Sequence, residues 1–245
     1  MDGYKILAND YEALNPKEEI FKQKDFFDKL IKDYSVNSCL DCACGMGWHL
    51  FMLNELGIEC FGSDLSSEML SFAAKNLEGI NISLKQGDYR RLSDFWNRKF
   101  DMIICMSNSL NHMLQDNDTI EALNSMYEQL NVDGILVIDN GISDRLIKHK
   151  PKFIPARILK DTAFYFFLEY PNENEMIFNI LCVKKTENSF EQAFDTMTLN
   201  AMKKSKLENL FLHTHFGKID YFGDHGFGEY SIDESGRLIA IAQKL

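Results

Sequence analysis

Between residues 38 and 139 one unit recurs: a short apolar run, a turn carrying glycine or an acid, then apolar residues at helical spacing. Ser38-Cys39-Leu40-Asp41-Cys42 leads into Gly45-Met46-Gly47, and a helical pattern over 48–56 stops at Gly57, where a C-terminal cap belongs. Residues 59–63 form the second run, closed by Asp64, and Ser66 and Ser67 offer a hydroxyl cap to a helix reaching about Asn76. Residues 81–85, ending at Gln86-Gly87-Asp88, and residues 100–105 form the third and fourth strands. A helix over 119–130 follows, and Asp133-Gly134 opens a fifth strand over 135–139. Each run is apolar along its length, so both faces of each strand are buried, as in a parallel sheet covered by helices on both sides. Right-handed crossovers make that sheet doubly wound. Its ligands then belong beyond the carboxyl ends of the strands, where the winding reverses. The polar clusters just named all sit at such ends.

Upstream, Ile20, Phe21, Lys24, Phe27, Leu30 and Ile31 give residues 17–34 the spacing of one amphipathic helix. Downstream of Asn140 the texture changes. Residues 157–170, 175–185 and 190–199 alternate apolar with polar, and Pro171-Asn172-Glu173-Asn174 separates the first two. This predicts an antiparallel hairpin or three-stranded insert. A helix over 203–213 and strands over 218–222 and 237–243 close the chain. The 245 residues read as one α/β domain in four parts: a helical segment 1–35, a core 36–140, a β-rich insert 141–202 and closing elements 203–245.

Composition narrows the function. With 45% apolar residues, 19 Phe, 9 Tyr and only 4 Pro, the chain is neither disordered, collagenous nor a coiled coil. Its net charge of −11 repels a phosphate backbone, so no nucleic-acid partner is expected. No apolar run approaches the ~18 residues of a membrane span, and no basic segment leads into an apolar one near Met1. A cytoplasmic protein without a membrane partner is the expectation. Cys39, Cys42 and Cys44 form a C-x-x-C-x-C cluster, but no second cysteine pair follows to complete a metal site. Cysteines in such apolar runs act as small buried hydrophobes, and no metal is expected.

The turn Asp41-Cys42-Ala43-Cys44-Gly45-Met46-Gly47 lets a ligand approach the main chain. A P-loop is excluded, because no Gly-Lys-Ser/Thr follows. A nicotinamide site calls for a third glycine, and Leu50 stands there instead. Asp64, 23 residues after Asp41, is placed to accept from both hydroxyls of a ribose. The structural alternative is an acid stabilised at a helix N-terminus.

Taken together, these residues resemble a class I S-adenosylmethionine-dependent methyltransferase. The resemblance is carried by residues 40–47, by Asp64 with residues 66–70, by Gln86-Gly87-Asp88-Tyr89, and by residues 100–105 with Asn108 and His112. Ser235-Gly236-Arg237-Leu238-Ile239-Ala240 resembles the family's last strand, and Ala43 departs from the usual glycine. The resemblance implies a seven-stranded, mostly parallel, doubly wound sheet with an antiparallel insert after the fifth strand. It implies that S-adenosylmethionine is bound, with S-adenosylhomocysteine as product. Ala43, Cys44, Gly45 and Gly47 would lie against the methionine part and Asp41 would face its ammonium. Asp64 would hold the ribose, Leu65 and Met69 would cover the adenine, and Gly87, Asp88 and Tyr89 would border it. Met106, Ser107 and Tyr4, the last in a segment folded over the cofactor, complete the implied set.

Within that family the chain is similar to glycine and sarcosine N-methyltransferase-like enzymes, through residues 105–112 and 136–140, Asp144 and Tyr221-Phe222-Gly223-Asp224. This implies methyl transfer to a small molecule, at an amine nitrogen, with Asn108, His112 and Tyr11 near the reaction. Arg157 and Tyr165 from the insert would meet the acceptor. The Arg-Asn-Tyr run of that group reads Gly141-Ile142-Ser143 here. A basic run, Lys148, His149, Lys150 and Lys152, borders the expected acceptor mouth and would suit an anionic acceptor. Trp48 and His49 read as packing residues. Transfer to oxygen or carbon, cofactor binding without turnover, and nicotinamide chemistry remain as alternatives, with a monomer or a homodimer as the assembly.

Overall fold

The computed structural model describes residues 11–245. Helices α1 (Tyr11–Leu14), α2 (Lys17–Phe21) and α3 (Lys24–Asp33) precede the sheet. The single helix expected over 17–34 is broken at Lys22 and Gln23 because its halves face different partners. Phe21 of α2 packs on Phe51, whereas α3 buries Phe26, Phe27 and Leu30 against the sheet. Then follow β1 (Ser38–Asp41), α4 (Trp48–Glu55), β2 (Glu59–Asp64), α5 (Ser67–Asn76), β3 (Ser83–Gln86) and β4 (Phe100–Cys105). The Ser66 hydroxyl accepts from Met69 N–H at 3.2 Å, the cap expected for α5. After α6 (Asp116–Gln129), β5 (Leu130–Asn140) begins earlier than the sequence suggests. It runs through Asp133, whose φ of +64° absorbs the local irregularity in pairing with β4.

The insert comprises α7 (Asp144–His149), β6 (Phe153–Ile158), β7 (Thr162–Glu169), β8 (Glu175–Lys185) and β9 (Phe190–Asn200). The segment read as one strand over 157–170 is split by a turn at residues 159–161, so the insert is a four-stranded antiparallel sheet in the order β6-β7-β8-β9. Helix α7 is too short for periodicity to reveal; it buries only Ile147. Helix α8 (Lys204–Phe211), β10 (Lys218–Phe222) and β11 (Leu238–Gln243) return the chain to the main sheet.

That sheet has seven strands in the order β10-β11-β5-β4-β1-β2-β3, with β11 antiparallel to both its neighbours and the rest parallel. It is the doubly wound α/β sheet expected, and its winding reverses between β1 and β4. One face packs under α3 and α4, with Phe26, Phe27, Leu50 and Leu53 buried. The other packs under α6 and α8, with Leu123, Met126, Leu207 and Phe211 buried. The cysteine cluster divides between them: Cys39 and Cys44 join the first core and Cys42 the second. Side chains so separated share no metal.

At the carboxyl end of β5 a fully buried carboxylate, Asp139, is held by Arg237 from the start of β11. Arg237 Nε donates to Oδ1 at 2.6 Å and Nη2 to Oδ2 at 2.8 Å, and His225 Nε2 lies 3.4 Å away. Burial alone would raise this carboxyl, but the Arg237 charge keeps it below the usual range. Replacing Arg237 with methionine strands a buried charge, so urea unfolding should show a loss of about 3–5 kcal/mol. The double variant Asp139→Asn, Arg237→Met should lose clearly less, because it leaves no unpaired charge.

Candidate active site

A cavity of about 400 Å³ opens beyond the carboxyl ends of β1, β2 and β4, at the reversal of the winding. Its floor is the turn after β1. Gly45 and Gly47 take φ of +51° and +81°, a region that excludes most side chains. A Cβ on Gly47 would also lie 3.0 Å from Leu77, so glycine lets α5 approach the turn.

Asp64 fastens this floor to β2. Gly45 N–H donates to its Oδ2 at 2.8 Å and Ser66 N–H to its Oδ1 at 2.9 Å. Burial raises its carboxyl, opposed by these backbone donors. Asp41 lies deeper, only 1% exposed, with Ala43 N–H donating to Oδ1 at 3.2 Å. Burial pushes it up to about 8, and the nearby Asp64 charge adds to the rise. Asp88 is also on the wall. Arg90 Nε and Nη2 donate to it, and although burial opposes them these bonds keep its carboxyl low.

Leu65 and Met69 line the same side, and Tyr89, whose hydroxyl donates to Ser109 O at 3.0 Å, closes it. At the other end stand Met106, Ser107, Ser109, His112 and Met113, facing Asn15 and Ile20 from the start of the chain. Burial depresses His112 below the usual imidazole range, which favours its neutral form.

A model of the methyltransferase domain matches residues 39–134. A glycine/sarcosine N-methyltransferase of Aphanothece halophytica is 27% identical over 95% of this chain and 86% of its own length. Another, from Parasynechococcus marenigrum, is 36% identical over 51% of this chain; the chain spans 45% of that relative's length. An S-adenosylmethionine-dependent methyltransferase from Clostridium acetobutylicum shares the fold with a TM-score of 0.80 over 91% of each chain at 19% identity. Streptomyces venezuelae DesVI shares it at 0.73 and 18% identity, over 96% of this chain and 95% of that one. Residues 39–134 thus match the methyltransferase domain, and the chain as a whole shares its fold with S-adenosylmethionine-dependent methyltransferases.

The methyltransferase cavity gathers most of the residues named from sequence: Ala43, Cys44, Gly45, Asp64, Leu65 and Met69 from the first two turns, and Asp88, Tyr89, Met106, Ser107 and His112 from the next two. Others stand off its wall. Asp41 supports the turn from beneath, Gly47 packs on Leu77, and Gly87 packs against Phe95. Asn108, expected beside the acceptor, has its Oδ1 engaged by Gly141 N–H at 2.6 Å and Ile142 N–H at 3.3 Å, and so joins the β4 loop to the end of β5. Arg157 and Tyr165 also fail to reach the wall. A bulge in β6 sets Arg157 opposite Phe164, where its Nε is buried without a partner, and Tyr165 stacks with Phe153. Of the basic run, Lys148 pairs with Asp233 and Lys150 lies 6.0 Å from the Tyr170 ring. Asp144 is structural: it accepts from the Tyr230 hydroxyl and from Lys204 N–H. Tyr4 lies outside the described residues, and of Tyr11 only its place in α1 is described.

Two wall residues were read as packing alone. Trp48 and His49 do pack, yet both also border the cavity. His49 Nε2 lies 3.2 Å from Gln23 Oε1, and burial pushes the imidazole down to about 4. Their position one and two residues past Gly47, at the N-terminus of the helix that opens from the turn, was the available signal.

The Asp41 carboxyl gives a pH test. Its folded value of about 8 exceeds the ~4 of an unfolded aspartate, so the folded chain binds more protons between these limits. Stability of the unliganded protein should therefore fall as pH rises through this window, by up to roughly 1.4 kcal/mol per unit from this group. In Asp41→Asn this contribution to the slope should disappear and the thermal midpoint at pH 8 should rise, with the difference closing towards pH 4.

Proposed function

We propose that the chain transfers a methyl group from S-adenosylmethionine to an amine nitrogen of a small molecule. The observation that carries this is the chemistry of the cavity. Half-buried Asp64 on the wall and buried Asp41 beneath it meet backbone N–H donors and no cation among the described residues. A ligand that brings its own positive charge and a ribose suits such a site, because that charge favours ionisation of Asp41, whereas a phosphate would oppose it. Asp41 would compensate the ammonium of the methionine part, and Asp64 would accept from the ribose hydroxyls. Leu65 and Met69 would cover the adenine, and Asp88 would face its exocyclic amine.

When bound, the cofactor supplies a sulfonium-activated methyl group; placement is the protein's part. Met106, Met113 and Ile20 exclude water from the far end of the cavity. An amine must be neutral to attack, and desolvation there lowers its basicity. Neutral His112 can hold or receive its proton, and it stands on the wall where Asn108 does not. Tyr11 is the second candidate for orienting the amine. The relatives named as glycine/sarcosine N-methyltransferases act on amines, which supports nitrogen as the acceptor atom. DesVI supports the fold alone.

Incubation with methyl-labelled cofactor and a panel of primary and secondary amines should give labelled N-methyl product. In Asp64→Ala, calorimetry should show S-adenosylhomocysteine affinity reduced by ~10–100-fold, the loss of one or two charge-assisted hydrogen bonds. In His112→Ala that affinity should persist while kcat falls by about 10². Labelling confined to hydroxyl or carbon acceptors, with the cofactor still bound, would overturn nitrogen as the acceptor atom.

A further inference from the structure

The antiparallel sheet of the insert has two faces, and the described residues cover one of them. On the covered face Phe164, Ile180 and Cys182 pack with Ala13 and Leu14 of α1. On the other, the register sets Phe153 opposite Phe167, and Tyr165 opposite Leu181, which in turn lies opposite Phe194. Phe153, Phe167 and Phe194 are 51%, 38% and 52% exposed, although Phe153 already lies 5.9 Å from the Tyr165 ring and 5.4 Å from the Phe167 ring. The aromatic residues are thus gathered and ordered, yet half in water.

The buried amide of this face, Asn179, is satisfied within it. Asn179 Nδ2 donates to Phe167 O at 3.2 Å and to Glu169 Oε1 at 3.1 Å, and Thr196 Oγ1 donates to Asn179 Oδ1 at 2.8 Å. Removing water from its centre therefore leaves that amide paired. Charge is confined to the ends. By strand alternation Glu169 and Glu175 lie at one end and Lys185 at the other, with no charged side chain of β7, β8 or β9 on this face between them.

We propose that this face packs against the same face of a second copy of the chain, forming a two-fold homodimer. The copies carry −11 each and repel one another over most of their surface, so they can meet only where charge is lacking. A two-fold axis lying across the strands between stacked sheets sets the acidic end of one copy over Lys185 of its partner. The area is adequate. Large aromatic side chains each offer ~150–250 Å², so the half-exposed phenylalanines with Ile158, Leu181 and Val183 supply several hundred of the ~800 Å² per partner of a standard interface. A foreign partner would ordinarily be steered by charge, which the centre of this face does not offer.

Sedimentation of the full chain over a wide concentration range tests the assembly. The native chain should sediment at twice the 28.3 kDa of one copy. Phe167→Ser with Phe194→Ser should weaken association by ~30-fold or more, with circular dichroism and S-adenosylhomocysteine affinity retained. Glu169→Lys should also weaken it, and adding Lys185→Glu should restore it, which a loss of folding would not do. A native chain that stays monomeric overturns the proposal. So does a dimer that survives the phenylalanine substitutions, since it would be assembled through another surface, such as the free edge of β9.

Discussion

The bond between Gly45 N–H and the Asp64 carboxylate joins the two halves of the ligand site. The first glycine turn belongs to β1 and α4 and the second acid to β2, and parallel pairing of those strands brings their ends level. Cys44 N–H donating to Ser63 O at 2.9 Å continues the pairing into the turn itself. With the turn fixed, the positive φ of Gly45 and Gly47 exposes main chain to the cavity and lets α5 close over its side. The position of the wall thus follows from sheet register, and the site inherits the rigidity of the core beneath it.

A second constraint acts at the other end. Asp139 and Arg237 tie β5 to β11, and Asn108, in the left-handed region at φ +67°, binds both the carbonyl of Asp139 and the amides that follow. The loop carrying Met106, Ser107 and His112 is therefore suspended between two strand ends. Asn108 so engaged holds its neighbours in place, standing off the wall while they stand on it.

Legibility in the sequence followed the range of the interactions. Strands apolar on both faces and turns marked by glycine or acid are local signals. They placed β1, β2, β4 and the acids Asp41, Asp64 and Asp88 with small errors of boundary. Where tertiary contacts decided, the local signal misled. The break before α3 depends on α4, the division of β6 from β7 on a turn without strong turn residues, and α7 on packing of Ile147 alone. The same distinction separates the site residues. Gly45 and Asp64 were readable because turn chemistry demands them, whereas Arg157 depends on a bulge in β6 and His49 on a partner, Gln23, 26 residues earlier.

The acids of the cavity also explain which ligand the fold has come to prefer. Doubly wound sheets with a glycine turn commonly direct helix N-termini and main-chain N–H groups at a phosphate. Here Gly45 N–H is consumed by Asp64, and Asp41 lies directly beneath the turn. An anion entering would oppose ionisation of these acids in a poorly solvated space, where Coulomb energies are several times those in water. A cation entering would instead favour the ionised forms of Asp41 and Asp64, which burial disfavours. On the proposed reading, discrimination between the two kinds of nucleoside ligand begins before any contact with the adenine, with the charge that Asp41 and Asp64 tolerate.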